Sequence, residues 1–379
     1  MKTYIEISRD NLVHNLNLFK QLCHKKLMFV VKADAYGHGL KEIISITKDL
    51  AIIDYYAVDS VSEALMVRQA DSKKKIFILG WSDEDDLETL ILNGFETVAP
   101  SPDFLKMADR LARKLKVKAY IHLKVETGTG RMGMAPALVA EMFNVSPFPY
   151  PGIEVVGIYS HFANIEDTTD HSYAQHQLEV FNTLLAKIKV PGLLRHFSCS
   201  ASTLLFPETY FDIVRVGISG YGYWPSKQTY ISHIEQNKNG HPLQRIELKP
   251  VLSWYAKTAQ VKTLEMGDPI GYGLSYRTFN KAKIIVVPVG YYDGYDRKLS
   301  NISTIIVNGV KAPVRGRICM DMFMAEATHI KNIKAGDRVT LLGREGNEVI
   351  DADDLAELAG TINYEILARI NPLIPRIVK

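Results

Sequence analysis

Eight short apolar runs recur through roughly the first 230 residues, with helix-type segments between them, and this alternation limits the fold more than any other feature. The runs lie at 27–31, 55–58, 76–79, 97–99, 119–125, 153–159, 196–199 and 213–216. The intervening stretches 60–70, 83–92, 102–115 and 173–188 carry apolar residues at helical spacing. Eight βα units are what one (β/α)8 barrel requires. A doubly wound open sheet is the competing layout, and the chain lacks the G-x-G-x-x-G turn such a sheet would carry after its first strand.

The pattern changes after Trp224-Pro225-Ser226. Residues 227–249 are polar and irregular, including Gln236-Asn237-Lys238-Asn239-Gly240, and read as a linker or excursion. Beyond it, β-type segments at 251–264, 283–289, 304–307, 311–314, 322–327 and 338–342 are punctuated by turns such as Asn308-Gly309. One late helix, 353–359, is stopped by Gly360. The expected organisation is a barrel over residues 1–240, of α/β class and TIM type, followed by a smaller mainly-β domain over 241–379.

With 45 basic and 42 acidic residues, the chain has no charge excess that would mark a nucleic-acid partner. Its 3 cysteines, widely spaced and without a C-x-x-C pattern, point to neither a disulfide framework nor a metal site. The amino terminus carries charges where a signal peptide needs an apolar core, and no apolar run reaches membrane-spanning length. A cytoplasmic protein without a membrane partner is expected.

Barrel active sites form at the carboxyl ends of the strands, and reactive side chains of this chain gather there. The first run delivers Lys32 into Val-Lys-Ala-Asp-Ala-Tyr-Gly-His-Gly, the fifth Lys124 and Arg131, the sixth His161, the seventh His196 and Ser200, and the eighth Arg215 and Gly217. A desolvated lysine loses its proton readily and can form an imine with an aldehyde. The bland alternative, a solvated strand-end lysine, holds for Lys32 taken alone. Taken alone, His161 also reads as a core histidine and Arg131 as a loop cation. Ser200, Gly217 and the amides that follow can donate to a phosphate, and Arg215 can donate to a ring nitrogen without surrendering a proton. An imine-forming lysine, a phosphate cradle and a cation for a heterocycle together point to pyridoxal 5'-phosphate.

These residues sit in longer motifs: 31–39, Leu-Lys-Val-Glu-Thr-Gly-Thr-Gly-Arg-Met-Gly at 123–133, Gly-Ile-Tyr-Ser-His-Phe-Ala at 157–163 and Arg-Val-Gly-Ile at 215–218. Others follow at 271–276, 288–295, 316–321 and 361–365. In these the chain resembles the alanine racemases, barrel-type pyridoxal-phosphate isomerases, from about residue 4 to residue 376. The resemblance implies that Lys32 holds the cofactor and acts as one base, while Tyr272, entering from the neighbouring subunit of a homodimer, is the base on the opposite face. Without it, Tyr272 reads only as a turn aromatic. It implies further that Tyr36, Ser200, Gly217, Ile218 and Tyr364 contact the phosphate and that Arg215 faces the pyridine nitrogen. An arginine there keeps that nitrogen unprotonated and restrains transamination. His161 would orient Tyr272, and His196 would orient Arg215. Arg131 and the Met320 amide would bind the substrate carboxylate, and Lys124 matches a lysine that is often carbamylated.

Two positions depart from the family pattern. Cys199 stands where asparagine is common, and Glu126 where aspartate is usual. The expected activity is interconversion of L- and D-alanine, supplying D-alanine for peptidoglycan. A serine or broad-specificity racemase is the close alternative, although the broad type would carry an export signal. A barrel-class decarboxylase lacks a reason for the Gly-Tyr-Gly segment at 271–273, and a non-catalytic carrier of the cofactor lacks a reason for the β domain.

Overall fold

The computed structural model describes residues 1–71, 73–145, 148–188, 190–238 and 246–379. The expected boundary at 240/241 lies outside the described residues. The chain forms two compact units. One comprises Val13–Ala33 and Ile43–Lys249, and the other Met1–Leu12, Asp34–Glu42 and Pro250–Lys379.

The first unit is the barrel. After an opening strand β1 (Thr3–Ile7), its eight strands are β2 (Lys26–Val30), β3 (Tyr55–Val58), β4 (Lys75–Ile78), β5 (Glu96–Ala99), β6 (Ala119–Lys124), β7 (Ile153–Tyr159), β8 (Leu194–His196) and β9 (Ile213–Val216). They pair in parallel in the order β8-β7-β6-β5-β4-β3-β2-β9. The seam between β8 and β9 is bridged by Asp212 N–H to the Arg195 carbonyl (3.1 Å) and Arg215 N–H to the Ser198 carbonyl (3.3 Å). Such a sheet is covered on both faces, which is why the strands read as unbroken apolar runs. Met28, Phe29, Ala57, Phe77 and Ile78 are fully buried.

The helices start where capping chemistry directs. The Ser60, Asp83 and Ser101 side chains accept N–H groups of Glu63 (3.3 Å), Asp86 (2.9 Å) and Phe104 (3.2 Å), opening helices Val61–Ala70, Glu84–Leu92 and Pro102–Leu115. Pro102 at the first turn loses nothing, because its missing N–H would have had no intrahelical partner. Phe104, Leu105, Ala108 and Ala112 then bury one face at helical spacing.

The second unit is built on a sheet ordered Gln260–Leu264, Ala282–Val287, Phe323–Glu326, Val310–Arg315, Thr304–Val307, Arg338–Glu345, Leu252–Lys257, β1 and Arg376–Val378. All pairs along it are antiparallel except β1 with Arg376–Val378. Asn308 (φ 52°) and Gly309 (φ 73°) make the two-residue turn expected of Asn-Gly. No helix among the described residues is long and apolar enough to cross a membrane.

Among the departures from the sequence expectation are three elements and the segment 251–264, which forms two strands, Leu252–Lys257 and Gln260–Leu264. β1 was not anticipated, because five residues alternating buried and half-buried are too few to stand out. Its register against Leu252–Lys257, with Ile5 opposite Trp254, gives it a place in the sheet. The stretch read as an irregular linker contains a helix, Lys227–Lys238, with little amphipathic pattern in its sequence. A second late helix, Asn363–Ala368, follows the expected one after a break at Gly360.

Candidate active site

Lys32 follows β2 and opens a turn of left-handed helix. Ala33, Asp34, Ala35 and Tyr36 have φ values of 54°, 53°, 54° and 54°. Each L-residue held there costs on the order of 1–2 kcal/mol, so the surroundings must impose it. Ala33 N–H donates to Glu63 Oε1 (2.7 Å), and Asp34 Oδ1 accepts from Leu40 N–H (2.8 Å). Gly37 and Gly39 continue at positive φ, and a Cβ on Gly37 would lie 2.0 Å from the Leu367 carbonyl oxygen.

Lys32 stays partly solvated, as a strand-end lysine taken alone would. Its side chain keeps 42% exposure and lies 3.9 Å from Asp59. The desolvated lysine is Lys124, at the end of β6. It is buried, with Nζ 5.6 Å from the centre of the Tyr159 ring. Burial, then Arg131 and Arg215, lower its pKa to about 8. The loop that follows is organised by Glu126, whose carboxylate accepts N–H groups of Gly128 (2.6 Å), Thr129 (2.5 Å) and Arg131 (3.3 Å). Partial burial opposes the charged form, yet these amides outweigh it and lower the carboxyl pKa. Glu126 is thus occupied with backbone. Among the described residues no ion pair holds the exposed Arg131 guanidinium.

Arg215, in β9, is buried without a carboxylate in ion-pair range among the described residues. Nη1 donates to His196 Nδ1 (2.7 Å). Nη2 contacts the carbonyls of Ser160 (2.9 Å) and Phe197 (3.0 Å) and His161 Nδ1 (3.2 Å). None of these bonds uses Nε. Both imidazoles are held well below their ordinary pKa range, first by loss of solvent and then by Arg215. They are neutral acceptors toward it.

Ser200 opens the short helix Ser200–Leu205, and its hydroxyl accepts Gly217 N–H (3.0 Å). That bond ties together the two segments expected to cradle a phosphate, and Ile218 begins the next turn. Cys199 is buried and its thiol is pushed up to about 11 by desolvation, so it is an inert packing group.

Other expected residues lie in the second unit. Tyr36 and Tyr364 stand with ring centres 6.0 Å apart. Tyr272 is 73% exposed, flanked by Gly271 and Gly273, both at φ 71°. The Met320 carbonyl accepts Tyr292 N–H (3.0 Å), and a Cβ on Gly290 would come within 2.2 Å of that oxygen. Among the described residues the Met320 amide has no acceptor.

The model of the alanine racemase N-terminal domain matches residues 7–225, and that of the C-terminal domain matches 251–378. The chain belongs to the alanine racemase family. An alanine racemase of Leptospira interrogans is 38% identical over 384 residues, spanning 99% of this chain and 95% of the relative. The solved alanine racemase of Clostridium difficile 630 has a TM-score of 0.90 at 32% identity, covering 100% of this chain and 96% of that one. An alanine racemase of Bartonella henselae, solved with covalently bound pyridoxal phosphate, has a TM-score of 0.86 at 26% identity, each chain covered in full (100%). As a member of this family, the chain is a pyridoxal-phosphate-dependent isomerase whose activity is alanine racemisation.

The donor set of this alanine racemase fits that cofactor. An amine for the aldehyde (Lys32), a permanent cation with an uncommitted Nε for the ring (Arg215), and a hydroxyl with adjacent glycine backbone for the phosphate all belong to the barrel unit. Sequence reasoning missed Glu96 and His122, which extend the Arg215 contacts through the barrel. The available signal was a histidine two residues before Lys124 on the same strand face, and a glutamate opening the short strand Glu96–Ala99.

Proposed function

We propose that this alanine racemase inverts its substrate with two opposed bases. Lys32 Nζ serves one face of Cα, and the Tyr272 hydroxyl, brought by a second copy of the chain, serves the other. Inverting a stereocentre needs an acceptor and a donor on opposite sides. When bound, pyridoxal phosphate supplies the electron-withdrawing system that acidifies the Cα–H bond. The observation that carries the reading is Arg215: its two terminal nitrogens are committed to imidazoles and carbonyls, which leaves Nε for the pyridine nitrogen.

The neighbouring groups take roles that follow from their chemistry. His161 accepts from Arg215 on Nδ1, so its proton is on Nε2. Donated to the Tyr272 oxygen, that proton would orient the hydroxyl toward Cα. Ser200, Gly217 and Ile218, with Tyr36 and Tyr364, hold the phosphate. Arg131, which has no ion-pair partner among the described residues, and the Met320 amide take the substrate carboxylate. Lys124 at about 8 has a substantial neutral amine fraction near neutrality, the form that adds carbon dioxide. Carbamylation would turn one of four clustered cations into an anion facing Arg131. The enzyme acts as a homodimer in the cytoplasm and supplies D-alanine for peptidoglycan, as befits a chain with bacterial relatives.

Racemisation in deuterium oxide tests the two-base reading. With L-alanine, the enzyme should yield D-alanine labelled at Cα. Tyr272→Phe should keep the absorbance of the lysine-bound cofactor while slowing interconversion on the order of 10²-fold or more. Undiminished interconversion by that variant would remove Tyr272 from the mechanism.

A further inference from the structure

The buried contacts of Arg215 do not end at His196. His196 Nε2 lies 2.9 Å from His122 Nδ1, and His122 Nε2 lies 2.7 Å from Glu96 Oε2. Glu96 Oε1 accepts from Lys75 Nζ (2.8 Å) and from the Tyr55 hydroxyl (3.3 Å). Both histidines are fully buried, and Glu96 and Arg215 are nearly so, at 4% exposure each. The chain of contacts thus runs from the start of β5, across β6 and β8, to β9.

Hydrogen-bond chemistry permits one proton assignment. A guanidinium only donates, so His196 Nδ1 must accept and the His196 proton sits on Nε2. That proton points at His122 Nδ1, which must also accept. The His122 proton therefore sits on Nε2 and is given to the Glu96 carboxylate. A doubly protonated His122 would require His196 to accept on both nitrogens, as an imidazolate. Every link has the same direction, and its end is the only carboxylate along it.

The fold makes room for this chain. A Cβ on Gly157 would fall 2.1 Å from His122 Nδ1, and the pairing of β6 with β7 shifts register between Ile121 and His122. Tyr159 stacks on His196 at 4.6 Å with its plane 3° from parallel, and Phe77 meets both imidazoles.

We propose that Glu96 and His122 are positioning residues for Arg215: the one-directional relay Arg215–His196–His122–Glu96 fixes the rotamer and donor direction of the guanidinium and so governs how Nε meets the cofactor ring. This rests on the reading of Arg215 given above. Without the relay the guanidinium can turn, the ring nitrogen gains access to other donors, and transamination competes with racemisation.

Two measurements test it. In apoprotein labelled with 15N-histidine, His122 and His196 should each carry one ring proton, on Nε2. An Nδ1 proton on either would overturn the relay, whatever the role of Arg215. In protein reconstituted with pyridoxal phosphate, Glu96→Leu, His122→Phe and Gly157→Ala should raise transamination events per racemisation turnover about tenfold or more, the weight of one charge-assisted hydrogen bond. Glu96→Gln, which keeps an acceptor oxygen, should stay within about twofold of the parent. A merely structural role would reduce the amount of loaded enzyme and leave this ratio unchanged in all four variants, and that result overturns the inference. So would a Glu96→Gln as defective as Glu96→Leu. Arg215→Lys separates the two levels: if it shifts the ratio while the relay variants do not, the relay fails and the reading of Arg215 stands. If Arg215→Lys leaves the ratio unmoved, the reading of Arg215 fails with it. Should Glu96→Leu not fold, the tautomers and Glu96→Gln still decide.

Discussion

Ala33→Gly should make this protein more stable and less active, an outcome that follows from the left-handed turn after Lys32. Ala33 has φ 54°, where an L-residue is disfavoured by on the order of 1–2 kcal/mol relative to glycine. Its side chain is exposed, so little burial is lost with the methyl group. Glycine keeps the N–H that donates to Glu63 but adds unfolded-chain entropy, which offsets about 0.5–1 kcal/mol. The net gain should be about 0.5–1 kcal/mol, seen as a higher urea midpoint by a few tenths of a molar. Ala35 at φ 54° provides the control. It is fully buried, so removing its methyl group loses about 0.8 kcal/mol of burial and cancels most of the gain. Ala33→Val should be strongly destabilised, since β-branched side chains are true outliers at positive φ. Activity should fall in Ala33→Gly because the strain that orients Lys32 is released. If Ala33→Gly unfolded at lower urea than the parent, the turn would not be strained and the reasoning would fail.

The proposed site shared between two copies predicts complementation: Lys32→Ala and Tyr272→Phe, each inactive alone, should regain about a quarter of parental activity after equal mixing and subunit exchange, because half of the dimers then hold one intact site of two. No recovery in a mixture shown to contain heterodimers would place both bases on one chain. Lys124 titrates at about 8 in the fold and near 10.5 when unfolded. Between those values the unfolded chain binds more protons, so stability should rise with pH, by up to about 1.4 kcal/mol per unit, and Lys124→Met should remove that rise in urea titrations. Cys199, with its thiol pushed to about 11, should resist iodoacetamide at pH 8 in the native protein, with alkylation mapped by mass spectrometry concentrated on the partly exposed Cys319.

The barrel was legible because parallel strands covered on both faces must be apolar throughout, and eight such runs in βα alternation have few other solutions. The Asn308-Gly309 hairpin was legible because two consecutive residues at positive φ call for that pair. β1 was not, since five residues carry too little periodicity and its membership in the sheet depends on partners at 252–257 and 376–378. The helix Lys227–Lys238 was hidden because its face is not marked by apolar spacing. Of the proposed site residues, those at strand ends were readable from position. Tyr272 and Met320 rested on resemblance alone, because an exposed tyrosine between glycines has no local signature of catalysis.

By itself the sequence determined which side chains arrive at the strand ends, and hence the family and its cofactor, because strand order and length decide what a barrel presents at its mouth. Only the tertiary structure decided the electrical state of those side chains. It left Lys32 partly exposed and buried Lys124. It also joined Arg215 to Glu96 through two imidazoles from strands far apart in sequence. Protonation and hydrogen-bond direction depend on distances of a few ångströms and on the exclusion of water, and neither is encoded in the order of residues along a chain.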